Sequence, residues 1–137
     1  MMKKIITILL VTIIACNKDS DIIESTYSEI LIGKEWNVVN TITYNDENIE
    51  IDSDTYSNIE YLFLENHDVI IYNKTIPKNM LKWQFIDNET AIKLIPYENE
   101  VEKIWKIETL TATDFIISKK SNPTAVIQTK EVVTFKR

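Results

Sequence analysis

The 137-residue chain has very few of the residues that form crosslinks or coordinate metals: one cysteine, one histidine and one glycine. Because Cys16 stands alone, an intrachain disulfide is excluded, and so is a zinc site built on several thiolates. A single histidine, His67, makes a multi-histidine site impossible, and its Glu-Asn-His-Asp context predicts an exposed turn. Since Gly33 is the only glycine, tight turns have to use Asn and Asp for left-handed backbone conformations.

Acidic residues outnumber basic ones, 21 to 15, giving a formal net charge of −6. Nucleic-acid binding needs clustered basic residues, so we expect no nucleic acid partner. Carboxylates are concentrated in 45–54, but this segment lacks the glycine and the final glutamate of an EF-hand loop. We therefore expect a solvated loop over 45–58, no bound metal and no cofactor. No catalytic set is identifiable, and we predict that the protein is not an enzyme.

The first sixteen residues form the clearest motif. Two lysines precede an apolar run over 5–15, which is shorter than the roughly 20 residues of a membrane-spanning helix and fits a secretory signal. The run ends in Ile-Ile-Ala-Cys at 13–16, which resembles the bacterial lipobox. That resemblance implies cleavage before Cys16 and attachment of diacylglycerol to its thiol.

The lipobox resemblance also predicts the domain organisation and the location. We expect a signal peptide over 1–15, a lipidated flexible tether over 16–25 and one folded domain over 26–137. The protein would be anchored by lipid in the bacterial cell envelope, in the outer membrane. The acidic stretch at 18–21 resembles the surface-export signal of Bacteroidetes lipoproteins, and both a surface-exposed and a periplasm-facing position remain open.

Strand-like segments fill the chain from residue 34 onward, separated by short polar turns. They are 34–44, 59–65, 68–74, 80–86 (after a break at Pro77), 90–96, 101–110, 114–120 and 124–137. A short helix is predicted over 26–33, with Gly33 just after its C-cap. Because no long helix separates the strands, they pair antiparallel. We predict an all-β, antiparallel, eight-stranded barrel, with an open sandwich as the alternative.

Two segments resemble a known family. The sequence LIGKEW at 31–36 is similar to the start of lipocalins, where a Gly-x-Trp motif places tryptophan at the barrel floor, although Trp36 lies one residue further along. The segment at 105–118 resembles the C-terminal strand, Leu-Thr turn and strand of lipocalin-like lipoproteins of Bacteroidetes. The resemblance implies a barrel of eight to ten strands, often with a ligand cavity.

Aromatic side chains supply the candidate ligand site, because small-molecule pockets are mostly apolar and aromatic with a few polar groups. The residues that we predict to contact a ligand are Trp83, Trp105, Asn40, Phe85 and Tyr61. Asn40 is included because strict alternation places it on the face of Trp36, Val38 and Ile42. The alternative for the aromatic residues is a packed barrel core.

These features are consistent with two functions. The first is a lipocalin-like lipoprotein that binds a small apolar or amphipathic ligand inside its barrel. The second is a protein-interaction or inhibitor-type accessory lipoprotein with a filled barrel. Both imply a monomer attached to the membrane through the lipid at Cys16. An open cavity would favour the ligand, whereas a filled barrel with exposed apolar residues would favour a protein partner.

Overall fold

A computed structural model describes residues 26–97 and 101–137 of the chain. The predicted signal peptide, the tether and the lipidation site at Cys16 lie outside the described residues. The described part contains one helix and nine strands. In chain order they are α1 (Tyr27–Leu31), β1 (Glu35–Asn45), β2 (Glu50–Thr55), β3 (Ile59–Phe63), β4 (Asp68–Asn73), β5 (Ile76–Ile86), β6 (Ala91–Pro96), β7 (Lys103–Leu110), β8 (Asp114–Lys120) and β9 (Thr129–Lys136).

The strands form a closed antiparallel meander. Each strand from β3 to β9 pairs with the next, and β9 pairs with β1 to complete the barrel. On its other edge β1 pairs with β3 in its first half and with β2 in its second half. Strands β2 and β3 therefore share one position, and the barrel has eight positions with one additional strand. The predicted all-β, eight-stranded antiparallel barrel is confirmed.

The short helix closes one end of the barrel. Thr26 and Glu29 form a capping box at its start, and Leu31 at its end is fully buried. Gly33 follows with a φ of 68° and donates its N–H to the carbonyl of Phe63, the last residue of β3. The predicted helix and the role of Gly33 after it are confirmed. We call this end, with the turns 64–67, 87–90 and 111–113, the helix end. The opposite end is the open end; it contains the connections 46–49, 74–75 and 121–128 and the described residues 97 and 101–102 between β6 and β7.

Aromatic rings fill the barrel interior towards the helix end. Phe115 is fully buried, and its ring centroid lies 5.7 Å from that of Trp36, 5.9 Å from that of Phe63 and 5.1 Å from that of Phe135. Such tilted and offset pairs add to the stabilisation that comes from burial. The indole Nε1 of Trp36 also donates to the carbonyl oxygen of Leu31 at 3.2 Å, which joins this core to the helix.

Three predicted boundaries are wrong, each for a local reason. Residues 50–55 form β2 instead of a loop, because backbone pairing with β1 holds a strand whose side chains are all exposed. Strand β5 begins at Ile76, so Pro77 does not interrupt it; the proline lies beside a register shift, where a missing N–H is tolerated. The last strand starts at Thr129, because residues 124–128 belong to the turn before it.

Positive φ angles occur at Asn48, Asp87 and Asn88, as expected for a chain with one glycine. The two-residue turn between β4 and β5 is less expected. It consists of Lys74 and Thr75 with φ angles of 52° and 67°, the signs that a type I′ hairpin turn requires. A β-branched residue is strained in this conformation, so Thr75 lowers the free energy of unfolding relative to a residue that favours a positive φ.

Changing this turn to the sequence that type I′ geometry favours should stabilise the barrel. We expect Lys74→Asn combined with Thr75→Gly to raise the free energy of unfolding by about 1 kcal/mol, because relief of left-handed strain exceeds the entropy cost of glycine. Urea unfolding measures the difference. Thr75→Val is the control, because it keeps the β-branch and should give no gain; a gain there would contradict the strain argument.

Candidate functional site

Two of the predicted ligand contacts, Trp83 and Phe85, belong to the packed core at the helix end. Their ring centroids are 5.3 Å apart, and that of Trp83 lies 5.7 Å from that of Phe63. The indole Nε1 of Trp83 donates to the carbonyl of Leu64 at 3.1 Å, and Phe85 contacts Tyr27 of the helix. Both side chains thus have protein partners on several sides.

The other two aromatic residues, Tyr61 and Trp105, have different neighbours: the Tyr61 ring centroid lies 5.1 Å from that of Phe135, and Trp105 lies beside one member of an ion pair. The Nζ atom of Lys119 lies 3.1 Å from a carboxylate oxygen of Glu131 and 4.6 Å from the centre of the Trp105 ring, which is cation–π distance. Burial raises the pKa of Tyr61, and the nearby Tyr56 and Glu131 raise it further. Tyr61 therefore keeps its phenolic proton at neutral pH.

Trp105 differs from the other two tryptophans in its hydrogen bonding. It is 6% exposed, and its Nε1 is buried without a hydrogen-bond partner. Trp36 and Trp83 each donate to a backbone carbonyl. A buried indole N–H normally has a hydrogen-bond partner, and among the three tryptophans only Trp105 lacks one.

Asn40 lies on a different face from the one predicted. Val38 pairs with Phe135 and Asn40 pairs with Thr134, so Val39 is an extra residue in β1. This bulge reverses the alternation: Trp36 and Val38 face the core, whereas Asn40 and Ile42 face the opposite side of the sheet. The prediction that Asn40 shares the face of Trp36 and Val38 is wrong. Its Oδ1 is nevertheless buried without a hydrogen-bond partner.

The open end carries most of the exposed apolar surface. Among the residues that the structure describes, all but Met80 of the large exposed apolar side chains lie in the open-end connections or within two residues of them, and none lies in a helix-end turn. They are Ile49, Ile51, Ile76, Met80, Tyr97, Val101, Ile104, Val126 and Ile127. Val126 is the most exposed, at 103%, followed by Val101 at 72% and Ile127 at 68%. Single exposed apolar residues are ordinary, but their collection at one end of a barrel is typical of an interaction surface.

Two carboxylates on the outer face of the barrel are held by hydrogen bonds. Asp68, which is 8% exposed, accepts from Lys82 and from the hydroxyl of Tyr97, and both bonds lower its pKa. Because Tyr97 follows β6 directly, this contact attaches the β6–β7 connection to the barrel wall. Glu108 lies at a bulge in β7 and accepts from Lys106 at 2.8 Å and Ser118 at 2.6 Å.

The bonds to Glu108 predict a stability that depends on pH. Lys106, then Ser118, lower the pKa of Glu108 from 4.5 to about 2. The stabilisation is therefore present above pH 4.5 and is lost as pH falls through about 2. Because the side chain is partly exposed, we expect Glu108→Gln to cost only about 1 kcal/mol at neutral pH, with most of this difference gone at pH 2. Urea unfolding at both pH values tests this; a loss that persists at pH 2 would mean that packing is responsible.

The described residues place no three or more His, Cys, Asp or Glu side chains together in a way that could hold a metal ion. His67 lies in a turn with a φ of 65°, its ring 5.4 Å from that of Trp83. Among the helices of this part of the chain, none is long and apolar enough to span a membrane.

The class of fold is thus an eight-stranded antiparallel barrel that fits a lipocalin-like architecture, with one end closed by a helix. Comparison with protein-family models gives no match, and comparison with curated proteins gives none either.

Proposed function

We propose that this protein is a lipid-anchored, lipocalin-like interaction module of the bacterial cell envelope, which binds a protein partner through its open-end connections. The observation that carries the proposal is the distribution of apolar side chains. Those inside the barrel pack against one another, as the contacts of Phe115 with three other rings illustrate. Those that remain exposed are collected at one end, where a partner can cover them.

The lipocalin-like part of the proposal is supported by the surroundings of Trp36. This residue is fully buried at the helix end, beneath the short helix that precedes it. The ring also lies 5.1 Å from the guanidinium carbon of Arg137, at the other terminus of the chain. A tryptophan at the barrel floor is what the resemblance at 31–36 implies.

In this proposal the anchor and the interface would lie at opposite ends of the barrel. The chain enters the fold at Thr26, at the helix end. A lipid on Cys16 would therefore join the protein to the membrane at that end. The open-end connections, with Val126 and Ile127, would then face away from the attachment point. This arrangement favours a protein partner over the anchoring membrane as the occupant of the apolar surface.

The apolar contacts are sufficient for a complex of modest affinity. Burying one half-exposed isoleucine or valine contributes about 1–2 kcal/mol, and the four connections supply several such residues. Part of this gain is offset by the loss of translational and rotational freedom on association. We therefore expect a reversible complex.

Site-specific photo-crosslinking in the native host tests the interface. A photoreactive residue at Ile127 should give a discrete crosslinked protein, whereas the same residue at Asn88, an exposed helix-end position, should give none. Val126→Glu in the same chain should abolish the product without changing the melting temperature, because Val126 is fully exposed. Crosslinks to lipid alone, or products that form equally from Asn88, would reject a protein interface at the open end.

An amphipathic ligand is the second candidate function. The observation in its favour is the buried Nε1 of Trp105, which has no hydrogen-bond partner and lies under Lys119.

A further inference from the structure

Strand β2 has a free edge, although a closed barrel normally has none. One edge of β2 pairs with residues 40–44 of β1. Among the strands of the described part of the chain, none pairs with its other edge. The neighbouring β4–β5 hairpin ends before it could do so, because the N–H of Lys74 in its turn donates to the carbonyl of Asn58, which follows β2.

The free edge of β2 presents backbone donors and acceptors. In an antiparallel pair, the backbone groups of successive residues point to alternate edges of the strand. The N–H of Tyr56 donates to the carbonyl of Val39 in β1. The register therefore directs the backbone groups of Ser53 and Thr55 to the free edge. All six side chains of β2 are exposed, so another extended chain can approach this edge and pair with it.

The carboxylates of β2 define the charge of the chain that would fit. Asp52 and Asp54 share one face of the sheet, and their partners on β1 are the uncharged Thr43 and Thr41. Of the ion pairs between described residues, none includes an acidic residue of β2. Opposite charges on neighbouring strands stabilise their pairing. An added strand with lysine or arginine at alternate positions would supply the missing cations.

The same carboxylates disfavour a second copy of this chain as the occupant. Because Ser53 and Thr55 direct their backbone groups to the free edge, antiparallel pairing of two β2 strands would pair these residues with each other. Every such register places Asp52 or Asp54 opposite an aspartate of the second chain. Like charges directly opposite each other weaken strand pairing, and both copies have a net charge of −6.

We infer that the free edge of β2 binds an extended segment of a protein partner that has lysine or arginine at alternate positions. Its backbone would bond to that of Ser53 and Thr55, and its basic side chains would pair with Asp52 and Asp54. Ile51 of the same strand belongs to the exposed apolar surface of the open end. The inference rests on the proposed function and deepens it, because it names the part of the partner that is bound.

A short synthetic peptide in which lysine alternates with threonine tests the β2 edge in the mature protein. We expect calorimetry to show saturable binding, and amide hydrogen exchange to slow at Ser53 and Thr55, because both N–H groups would donate to the added strand. A peptide with glutamate in place of lysine should not bind. A peptide of the same composition with its lysines in one block should bind several-fold more weakly, because only alternate residues share a face.

Ser53→Pro tests the backbone contribution. Proline removes an N–H that faces the free edge and leaves the hydrogen bonds to β1 in place. We expect roughly fivefold weaker binding of the alternating peptide, the usual effect of losing one hydrogen bond, with cooperative unfolding retained. Ser53→Ala is the matched control, because it keeps the N–H and should bind like the wild type. Unchanged affinity of a folded Ser53→Pro protein would overturn the inference.

The charge contribution is tested by Asp52→Asn combined with Asp54→Asn, which should weaken binding roughly tenfold. The control is Glu35→Gln combined with Glu65→Gln, which removes two exposed carboxylates near the helix end and should leave the affinity unchanged. Equal effects of the two double variants would overturn the inference. Absence of saturable binding would do so too, since the carboxylates would then only protect the edge from pairing. A discrete crosslink from Ile127 without peptide binding would reject the β2 site and retain the proposed function.

Discussion

Replacing Trp36 with alanine is expected to destabilise the barrel by about 3–5 kcal/mol, the usual cost of deleting a large buried aromatic side chain. Trp36 has no exposed surface and its ring packs against Phe115. It also connects the barrel to the helix, since its Nε1 donates to Leu31. Because domains of this size have about 5–15 kcal/mol of stability, this one change would remove much of the total. Urea unfolding of the mature protein measures the loss.

Phenylalanine substitutions separate the contribution of packing to this loss of stability from the contribution of hydrogen bonding. Trp36→Phe keeps an aromatic ring but leaves the Leu31 carbonyl without its donor, so we expect it to cost about 1–3 kcal/mol. Trp105→Phe is the matched control, because Trp105 is nearly as buried but donates no hydrogen bond. It should cost less than Trp36→Phe. Equal losses at both positions would show that ring volume alone sets the stability.

Much of the barrel could be predicted from the sequence because most strands have one buried face. In β5, Leu81 and Trp83 are buried and the intervening Lys82 is not, which is the period-two pattern that predicted this strand. Strand β2 has no such pattern, since all six of its side chains are exposed and only backbone pairing with β1 defines it. Hydrophobic periodicity therefore contained no signal for it.

The candidate sites depend on features that strand periodicity does not reveal. The bulge at Val39 moves Asn40 to the opposite face, and no residue type in β1 marks its position. The pairing of β7 and β8 ends at Lys106 and Ser118, which is a property of the closed barrel and its register. Trp105 was selected as an aromatic residue, but its contact with the Lys119–Glu131 ion pair becomes visible only when β8 and β9 are paired.

The second large effect concerns the anchor: we expect Cys16→Ala to release the protein from the membrane completely. The Ile-Ile-Ala-Cys sequence at 13–16 motivates this prediction. Each buried CH₂ of an acyl chain contributes about 0.8 kcal/mol, and two or more chains make attachment effectively permanent. Without the thiol no diacylglycerol can be added, and the acidic protein, at −6, has no charge attraction to anionic lipid. Labelling with an alkyne fatty acid and membrane fractionation measure the change.

Asn17→Ala is the control for the anchor, because it changes the adjacent residue and keeps the thiol. It should be labelled and membrane-bound like the wild type, whereas equal labelling of Cys16→Ala would reject the lipobox interpretation. The released Cys16→Ala protein should unfold at the same temperature as the delipidated wild type. The barrel and its helix are formed by residues 27–136, and a chain with one cysteine has no intrachain disulfide to lose. Loss of attachment without loss of stability would therefore show that Cys16 serves only the anchor and that the core alone stabilises the barrel.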